Sequence, residues 1–270
     1  MRIIDCVQGT EEWLRARLGI PTCSQADRIL TPKTLKPSGQ REQYRNQLLA
    51  EWILGYPIDW GASSAWMERG TDLEAEARAA YELETGTDVQ QVGFIRHDDI
   101  AFGGSPDGLI GDDGGVEIKC PAIHTHIGYM LAPDTLADEY RGQVQTLLAL
   151  TGRQWWDLWA YNPELPPVRV RVERDAEYIK AFGKALLEFV RSLEEAQEKL
   201  REYKRIPPTV EAVLAAETEA EKAAPEDPEP EVAPWDRVLA ARGADVSGDL
   251  GALAEQAGRR TGRSAQAQGR

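Results

Sequence analysis

The stretch GGSPDGLIGDDGGVEIKCP, residues 103–121, holds acids and a lysine whose types and spacing could do chemistry. A solvated turn explains Asp112–Asp113. It does not explain Glu117 and Lys119, which alternate with apolar residues in the strand-like run Val116–Cys120. Carboxylates beside an ammonium group are suited to binding a divalent cation and to directing water at a phosphate.

The geometry of a β-hairpin predicts which of these side chains lie next to each other. If Ile110 pairs with Gly114, the same register places Asp107 directly opposite Glu117. Directly opposed residues share one face with Cβ atoms about 4.5–5.5 Å apart, which suits two carboxylates that bind one divalent cation. Lys119 lies two residues after Glu117 and points to the same face. The spacing alone leaves open the alternative of an exposed hairpin with these charges in solvent.

The elements around this stretch predict an α/β fold, because strand-like and helical patterns alternate along the chain. Helices are predicted over Gln40–Leu54, Ala65–Thr85, Ala137–Leu150 and Ala176–Lys204, and strands over Val89–His97, Ile100–Ile110, Val116–Cys120, Trp155–Tyr161 and Val168–Val172. The helix between Cys120 and Trp155 predicts a crossover between strands. The tryptophans of the Trp155–Tyr161 strand are predicted to lie in the core rather than to stack on single-stranded DNA.

The chain is predicted to divide into a globular domain over 1–205 and an acidic, Pro-rich linker with a largely disordered, flexible tail over 206–270. Residues 211–236 carry 9 acids against one base, a composition typical of a solvated linker. No apolar run is long enough for a membrane span. The first residues lack the apolar core of a signal peptide, so a cytoplasmic protein is expected.

Charge is distributed unevenly along the chain. The net charge of −14 argues against a nucleic-acid partner, because phosphate binding requires basic surface. Residues 1–50, however, carry 8 basic and 5 acidic groups, whereas residues 51–150 carry 5 basic and 18 acidic groups. A local basic groove is therefore compatible with the composition. Three cysteines without CxxC spacing disfavour a disulfide framework, a structural zinc site and an iron–sulfur cluster.

SPDG followed by EIKCP resembles the PD-(D/E)xK nuclease signature, and specifically the phage lambda exonuclease / YqaJ viral recombinase family. Four stretches match this family in order: GTEEWLRARLGIPTCSQA (Gly9–Ala26), ERGTDLEAEARAAYELETG (Glu68–Gly86), FGGSPDGL (Phe102–Leu109) and YRGQVQTLLALTG (Tyr140–Gly152). The match covers roughly Gly9–Leu193. The resemblance implies a restriction-endonuclease-like core, with a central mixed β-sheet flanked by helices.

The resemblance also assigns roles to the acids and the lysine. Asp107 and Glu117 match the metal-binding acids, together with the backbone carbonyl of Ile118, and Lys119 matches the catalytic lysine. The implied cofactor is Mg²⁺, with Mn²⁺ as a possible substitute and two ions in the substrate complex.

Two further polar residues of the site are implied by the resemblance. Glu74 matches a helix acid near the second metal, and Gln143 matches a glutamine that completes the site. Either side chain could instead be solvated, because Glu74 lies among other acids and Gln143 lies on a helix.

The resemblance implies a pocket for a terminal 5′-phosphate. Arg17 matches its arginine, and Ser24 and Ser105 match its hydroxyl groups, a suitable set for an anion. Without the resemblance, Arg17 reads as an ordinary exposed arginine. A further basic residue expected after EIKCP is missing, which leaves His124 or His126 as candidates to replace it.

The implied function is a Mg²⁺-dependent 5′-to-3′ exonuclease on double-stranded DNA, which releases mononucleotides and leaves 3′ single-stranded overhangs for phage-type recombination. The implied partners are double-stranded DNA ends, two further copies of the chain in a homotrimeric ring, and a single-strand annealing protein. Two alternatives stay open: another PD-(D/E)xK endonuclease, or a non-catalytic DNA-end-binding module.

Overall fold

The computed structural model describes residues 1–58 and 65–203, and for residues 65–72 it describes the backbone alone. The tail predicted over 206–270 lies outside the described residues. In the described part of the chain, no helix is both long and apolar enough to span a membrane.

Nine strands and seven α-helices are described. The strands are β1 (Arg2–Ile4), β2 (Leu30–Thr31), β3 (Lys36–Pro37), β4 (Phe94–Arg96), β5 (Gly103–Gly104), β6 (Gly108–Ile110), β7 (Gly114–Lys119), β8 (Trp155–Asn162) and β9 (Leu165–Glu173). The helices are α1 (Glu11–Ala16), α2 (Arg41–Leu54), α3 (Ala65–Thr85), α4 (Ile123–Leu131), α5 (Asp134–Glu139), α6 (Arg141–Thr151) and α7 (Ala176–Arg201), with a 3₁₀ helix at Cys23–Arg28.

The central sheet has the strand order β6-β7-β8-β9. β7 and β8 are parallel, whereas β6–β7 and β8–β9 are antiparallel, so the sheet is mixed as predicted. The parallel pair is joined through α4, α5 and α6, which confirms the crossover. A second, antiparallel sheet has the order β1-β4-β5, and β2 pairs with β3.

The two faces of β7 have different neighbours, because successive side chains of a strand point to opposite faces. Val116 and Ile118 pack with Ala77 and Tyr81 of α3 in the smaller of two hydrophobic clusters. The alternate residues of β7, including Glu117, lie on the other face, where α6 and α7 contribute to the larger core. The sheet thus separates the packing of α3 from the acid and lysine of β7.

The strand predicted over Ile100–Ile110 is wrong as a single element. It is divided into β5 and β6 by the segment Ser105–Pro106–Asp107. Pro106 has no backbone N–H to donate to a sheet, and proline is therefore rare inside strands. The break leaves Asp107 immediately before β6, at the end of the sheet.

Two other predicted elements are shorter or divided. The strand predicted over Val89–His97 is reduced to β4, because Gln90 forms only an isolated bridge to Leu109. The helix predicted over Ala137–Leu150 is divided into α5 and α6 at Tyr140, whose φ of −102° and ψ of 13° are not helical. The sequence prediction also missed α1 and α4.

Gly115 of β7 is expected to be essential for packing beside the site. A Cβ atom at this position would lie 2.5 Å from the indole ring of Trp156, whose side chain is fully buried. Gly115→Ala is therefore expected to lower the free energy of unfolding by about 1–3 kcal/mol, the usual cost of overpacking. Chemical denaturation followed by circular dichroism measures this change.

Gly183 in α7 provides the matched control, because nothing lies within 4 Å of the Cβ position there. Gly183→Ala is expected to leave stability unchanged or to raise it, since alanine favours helix. Equal stability of Gly115→Ala and the unsubstituted protein would contradict the packing described for Trp156.

Candidate active site

The β6–β7 hairpin has the predicted register. Ile110 pairs with Gly114 and Gly108 pairs with Val116, so the next pair along this register is Asp107 with Glu117. Gly111 adopts a positive φ of 51° in the turn, a conformation that glycine favours. Asp107 is held at the end of the hairpin, because its Oδ2 accepts a hydrogen bond of 2.6 Å from the backbone N–H of Ile118.

Glu117 lies at the centre of a buried polar cluster and is only 2% exposed. Its Oε1 accepts hydrogen bonds from Nζ of Lys119 at 2.7 Å and from Nε2 of Gln143 at 2.5 Å. Its Oε2 is buried and has no hydrogen-bond partner in the described part of the chain. Lys119 also lies over the ring of Tyr140, with Nζ 4.4 Å from the ring centroid. One carboxylate oxygen of Glu117 is therefore hydrogen-bonded, and the other, Oε2, is available to bind a cation.

The pKa values of Asp107 and Lys119 are both raised in this cluster, which favours the neutral form of the acid and the charged form of the lysine. Burial, and then the charge of Glu117, raise the pKa of Asp107 well above its ordinary value. Burial alone would lower the pKa of Lys119, but the carboxylates of Glu117 and Asp107 outweigh it, and the pKa is raised. Lys119 is accordingly a protonated ammonium at neutral pH, beside a carboxylate pair that favours an additional cation.

One cavity, here termed the catalytic cavity, brings most of the predicted site residues together. It has a volume of about 140 Å³. Its lining includes the two acids and the glutamine, Asp107, Glu117 and Gln143, and all three residues predicted for the terminal phosphate, Arg17, Ser24 and Ser105. Residues separated by up to 126 positions in sequence therefore face a single space.

Trp13 contacts two of the residues predicted for the terminal phosphate, a position that the sequence did not reveal. Its Nε1 donates a hydrogen bond of 2.6 Å to Oγ of Ser105, and the guanidinium of Arg17 lies 4.2 Å from its ring centroid. Burial lowers the pKa of Arg17. Within the described residues, Arg17 has no hydrogen bond or ion pair through its side chain, so its charge remains available for an anion.

Gln8 is a second residue that sequence reasoning missed. Its Nε2 donates to the backbone carbonyls of Pro106, at 2.9 Å, and Val92, at 3.0 Å. These bonds fix the segment immediately before Asp107. The contact joins residues 98 positions apart, and no local pattern could have indicated it.

Glu74 lies apart from the paired acids. Its carboxylate forms a salt bridge with Arg78, and Glu74 lines a neighbouring cavity of about 770 Å³ that shares Gln8 and Trp13 with the catalytic cavity. Its charge still contributes to the raised pKa of Asp107. Among the described side chains, no group of three His, Cys, Asp or Glu residues is arranged to bind one ion. The role of Glu74 near a second ion stays a prediction.

Neither histidine lies among the residues predicted for the terminal phosphate. His126 is fully buried, and its Nε2 lies 2.8 Å from the carbonyl oxygen of Pro166. His124 is exposed and does not line the catalytic cavity. Arg17 is therefore the cationic residue of this pocket among the residues that line it.

The donor set fits a hard divalent cation. Asp107 and Glu117 provide carboxylate oxygens on one cavity, and Oε2 of Glu117 is buried without a partner in the part of the chain that the structure describes. Mg²⁺ and Mn²⁺ prefer oxygen ligands of this kind and complete their coordination with water or phosphate. The carbonyl of Ile118 as a further ligand stays a prediction.

A mixed sheet flanked by helices, with two acids and a lysine where one strand pair ends, is the architecture of the restriction-endonuclease-like class. The profile of the YqaJ-like viral recombinase domain matches residues 12–154, and the chain belongs to this family. This membership confirms the resemblance drawn from the sequence motifs.

Solved structures agree with the family. The chain is 40% identical to LHK-Exo in complex with dAMP, over 72% of this chain and 97% of that chain, with a TM-score of 0.65. It is 38% identical to the alkaline exonuclease LHK-Exo from Laribacter hongkongensis in a second structure, with the same coverage and a TM-score of 0.62.

A phage related exonuclease from Haemophilus somnus 129PT is 14% identical over 67% of this chain and 96% of that chain, with a TM-score of 0.55. This likeness supports the fold alone. No curated protein shows significant similarity to the chain.

Proposed function

We propose that the protein is a divalent-metal-dependent exonuclease that degrades double-stranded DNA from 5′ ends, releases 5′-mononucleotides and leaves 3′ overhangs. Family membership and the likeness to alkaline exonucleases support the exonuclease activity. The observation that carries the finer proposal is the shared catalytic cavity, which combines an arginine with two hydroxyl groups on one side and two carboxylates on the other.

Asp107 and Glu117, with the carbonyl of Ile118, would hold Mg²⁺ or Mn²⁺. When bound there, the ion supplies positive charge that polarises a phosphate and eases deprotonation of water. Lys119 is protonated and donates hydrogen bonds to the attacking water or to a phosphate oxygen. Gln143 positions Glu117 through its hydrogen bond to Oε1. A second ion near Glu74 is part of the same proposal.

The phosphate pocket accounts for cutting at an end rather than within a strand. In this proposal Arg17, Ser24 and Ser105 bind the terminal 5′-phosphate, and the next phosphodiester lies near the carboxylates, which line the same small cavity. The relative LHK-Exo has a structure with dAMP, a deoxynucleoside monophosphate of the class that such cutting releases.

Digestion of a linear duplex labelled at either the 5′ or the 3′ end tests this proposal. With Mg²⁺, we expect early release of label from the 5′ end as mononucleotide, late release from the 3′ end, and no reaction with EDTA. Nicks in closed circular DNA would instead identify an endonuclease. Retention of labelled ends without any cutting would identify an end-binding module.

Arg17→Ala is expected to reduce the preference for 5′-phosphorylated over 5′-hydroxyl ends by about tenfold or more, because a charge-assisted interaction with phosphate is removed. The initial rates on both duplexes measure this ratio. Arg15→Ala is the matched control, since Arg15 is in the last turn of α1, two residues before Arg17, and pairs with Glu11 at 3.0 Å. If the ratio of the two initial rates were unchanged in Arg17→Ala, Arg17 would not be a residue that binds the terminal phosphate.

The homotrimeric ring around DNA and the single-strand annealing partner stay predictions of the family resemblance. Sedimentation equilibrium of the full chain measures the first, with three times the mass of 30.0 kDa expected.

A further inference from the structure

A second cavity, here termed the outer cavity, lies on the other side of Arg17. It has a volume of about 280 Å³ and is formed between α1, the 3₁₀ helix and α2. Arg17 and Thr22 line both the outer and the catalytic cavity. Arg17 is thus the shared wall between two spaces.

Two polar groups of the outer cavity have no partner. Nε of Arg28 and Oε1 of Gln47 are buried and form no hydrogen bond in the described part of the chain. The rest of the Arg28 guanidinium is weakly held, by a 3.5 Å hydrogen bond to Gln25 and a position 4.6 Å from the ring centroid of Tyr44. Buried polar groups are normally paired, so this donor and this acceptor indicate a polar ligand.

Charge and shape specify that ligand further. Two guanidinium groups, of Arg17 and Arg28, face one carboxylate, that of Glu51, which favours an anion. The remaining wall is largely apolar, with Leu14, Leu48 and Ile58 among its residues, which suits a flat ring. An anionic group joined to a ring that carries hydrogen-bond donors matches these features.

We propose that the outer cavity binds a deoxynucleoside 5′-monophosphate, the product released by cleavage. The proposal rests on the proposed function. After each cut, the phosphate of the released nucleotide must leave Arg17 before the next terminal phosphate binds there. Because Arg17 faces both cavities, the product phosphate moves from Arg17 to Arg28, while Oε1 of Gln47 accepts a hydrogen bond from the base or the sugar.

Calorimetric titration of dAMP into the full chain in EDTA tests the proposal without catalysis. Binding is expected in the unsubstituted protein and is expected to weaken by about tenfold or more in Arg28→Ala, because a charge-assisted hydrogen bond is lost. The matched control is Arg45→Ala, since Arg45 is on α2, pairs with Glu42 and does not line the cavity. Equal affinity in Arg28→Ala and the unsubstituted protein would overturn the proposal.

Three further titrations locate the ligand and its chemistry. Two dAMP sites are expected, one in each cavity, and Ser105→Ala is expected to weaken only the site that Arg28→Ala leaves intact, because Ser105 lines only the catalytic cavity of the two. Weakening of one and the same site by both substitutions would place the nucleotide in the catalytic cavity instead. Inorganic phosphate and deoxyadenosine are each expected to bind more weakly than dAMP. If inorganic phosphate bound as tightly as dAMP, the outer cavity would be a site for anions in general, and the nucleotide assignment would be overturned.

Gln47→Leu is the second variant, for use if Arg28→Ala does not fold, and it is also expected to weaken dAMP binding. The titration and the digestion can fail separately. Loss of dAMP binding in Arg28→Ala supports the outer cavity whichever strand end is degraded, whereas the end-labelled digestion decides the activity alone.

Discussion

Glu117→Gln is expected to reduce Mg²⁺-dependent nucleotide release by at least about 10³-fold, because a carboxylate proposed to bind the divalent cation becomes neutral. The amide retains an oxygen that can accept the hydrogen bonds of Lys119 and Gln143, so the fold is expected to persist. The measurement is release of acid-soluble nucleotides from a linear duplex, with a thermal melt to confirm folding.

Glu84→Gln is the matched control, because Glu84 is an exposed residue of α3. It is expected to retain full activity. If Glu117→Gln released nucleotides within tenfold of the unsubstituted rate, the carboxylate pair could not be the metal site.

Lys119→Ala is expected to lower the rate constant for cleavage by on the order of 10²–10³-fold, the usual effect of removing one donor aimed at developing charge. Lys119 is held between Glu117 and the ring of Tyr140, so its ammonium group has a fixed position in the cluster. Single-turnover digestion with Mg²⁺ measures the chemical step apart from binding.

Lys184→Ala, at an exposed position of α7, controls for loss of a positive charge elsewhere. DNA-end affinity without metal is expected to change little in Lys119→Ala. A large loss of affinity with an unchanged cleavage rate would make Lys119 a DNA-binding residue and would contradict its role in the chemical step.

Sequence reasoning located the acid pair because the relevant geometry is local. A hairpin over Gly108–Lys119 needs only a turn and a register to place Asp107 opposite Glu117. The division of the Ile100–Ile110 strand was also readable, since Pro106 is a clear breaker that the prediction did not weigh.

Contacts between side chains that are far apart in the sequence could not be predicted from local patterns. Gln143 entered the site prediction through family resemblance alone, and α6 brings it to Glu117 across 26 positions. The hydrogen bond from Trp13 to Ser105 joins residues 92 positions apart. The ion pair of Glu74 with Arg78 is local, but which charge Glu74 faces depends on the tertiary structure around α3. Such contacts depend on how whole helices and strands pack, and the hydrophobic periodicity of the sequence does not reveal that packing.

The acidic composition was a poor guide to the local electrostatics. The chain has a net charge of −14, yet Arg17 and Arg28 both face the outer cavity, and Arg17 also faces the catalytic cavity. Both arginines come from the first 50 residues, where basic groups exceed acidic ones. Charge counted by segment is therefore a better guide than net charge to the arginines that line these cavities.

Binding of a divalent cation by Asp107 and Glu117 is most directly measured by calorimetric titration of Mg²⁺ and Mn²⁺ into the full chain and into the Asp107→Asn and Glu117→Gln variants. We predict binding to the unsubstituted protein and its loss in each variant, because both carboxylates are needed for the site. Cation binding of undiminished affinity in both variants would contradict the account.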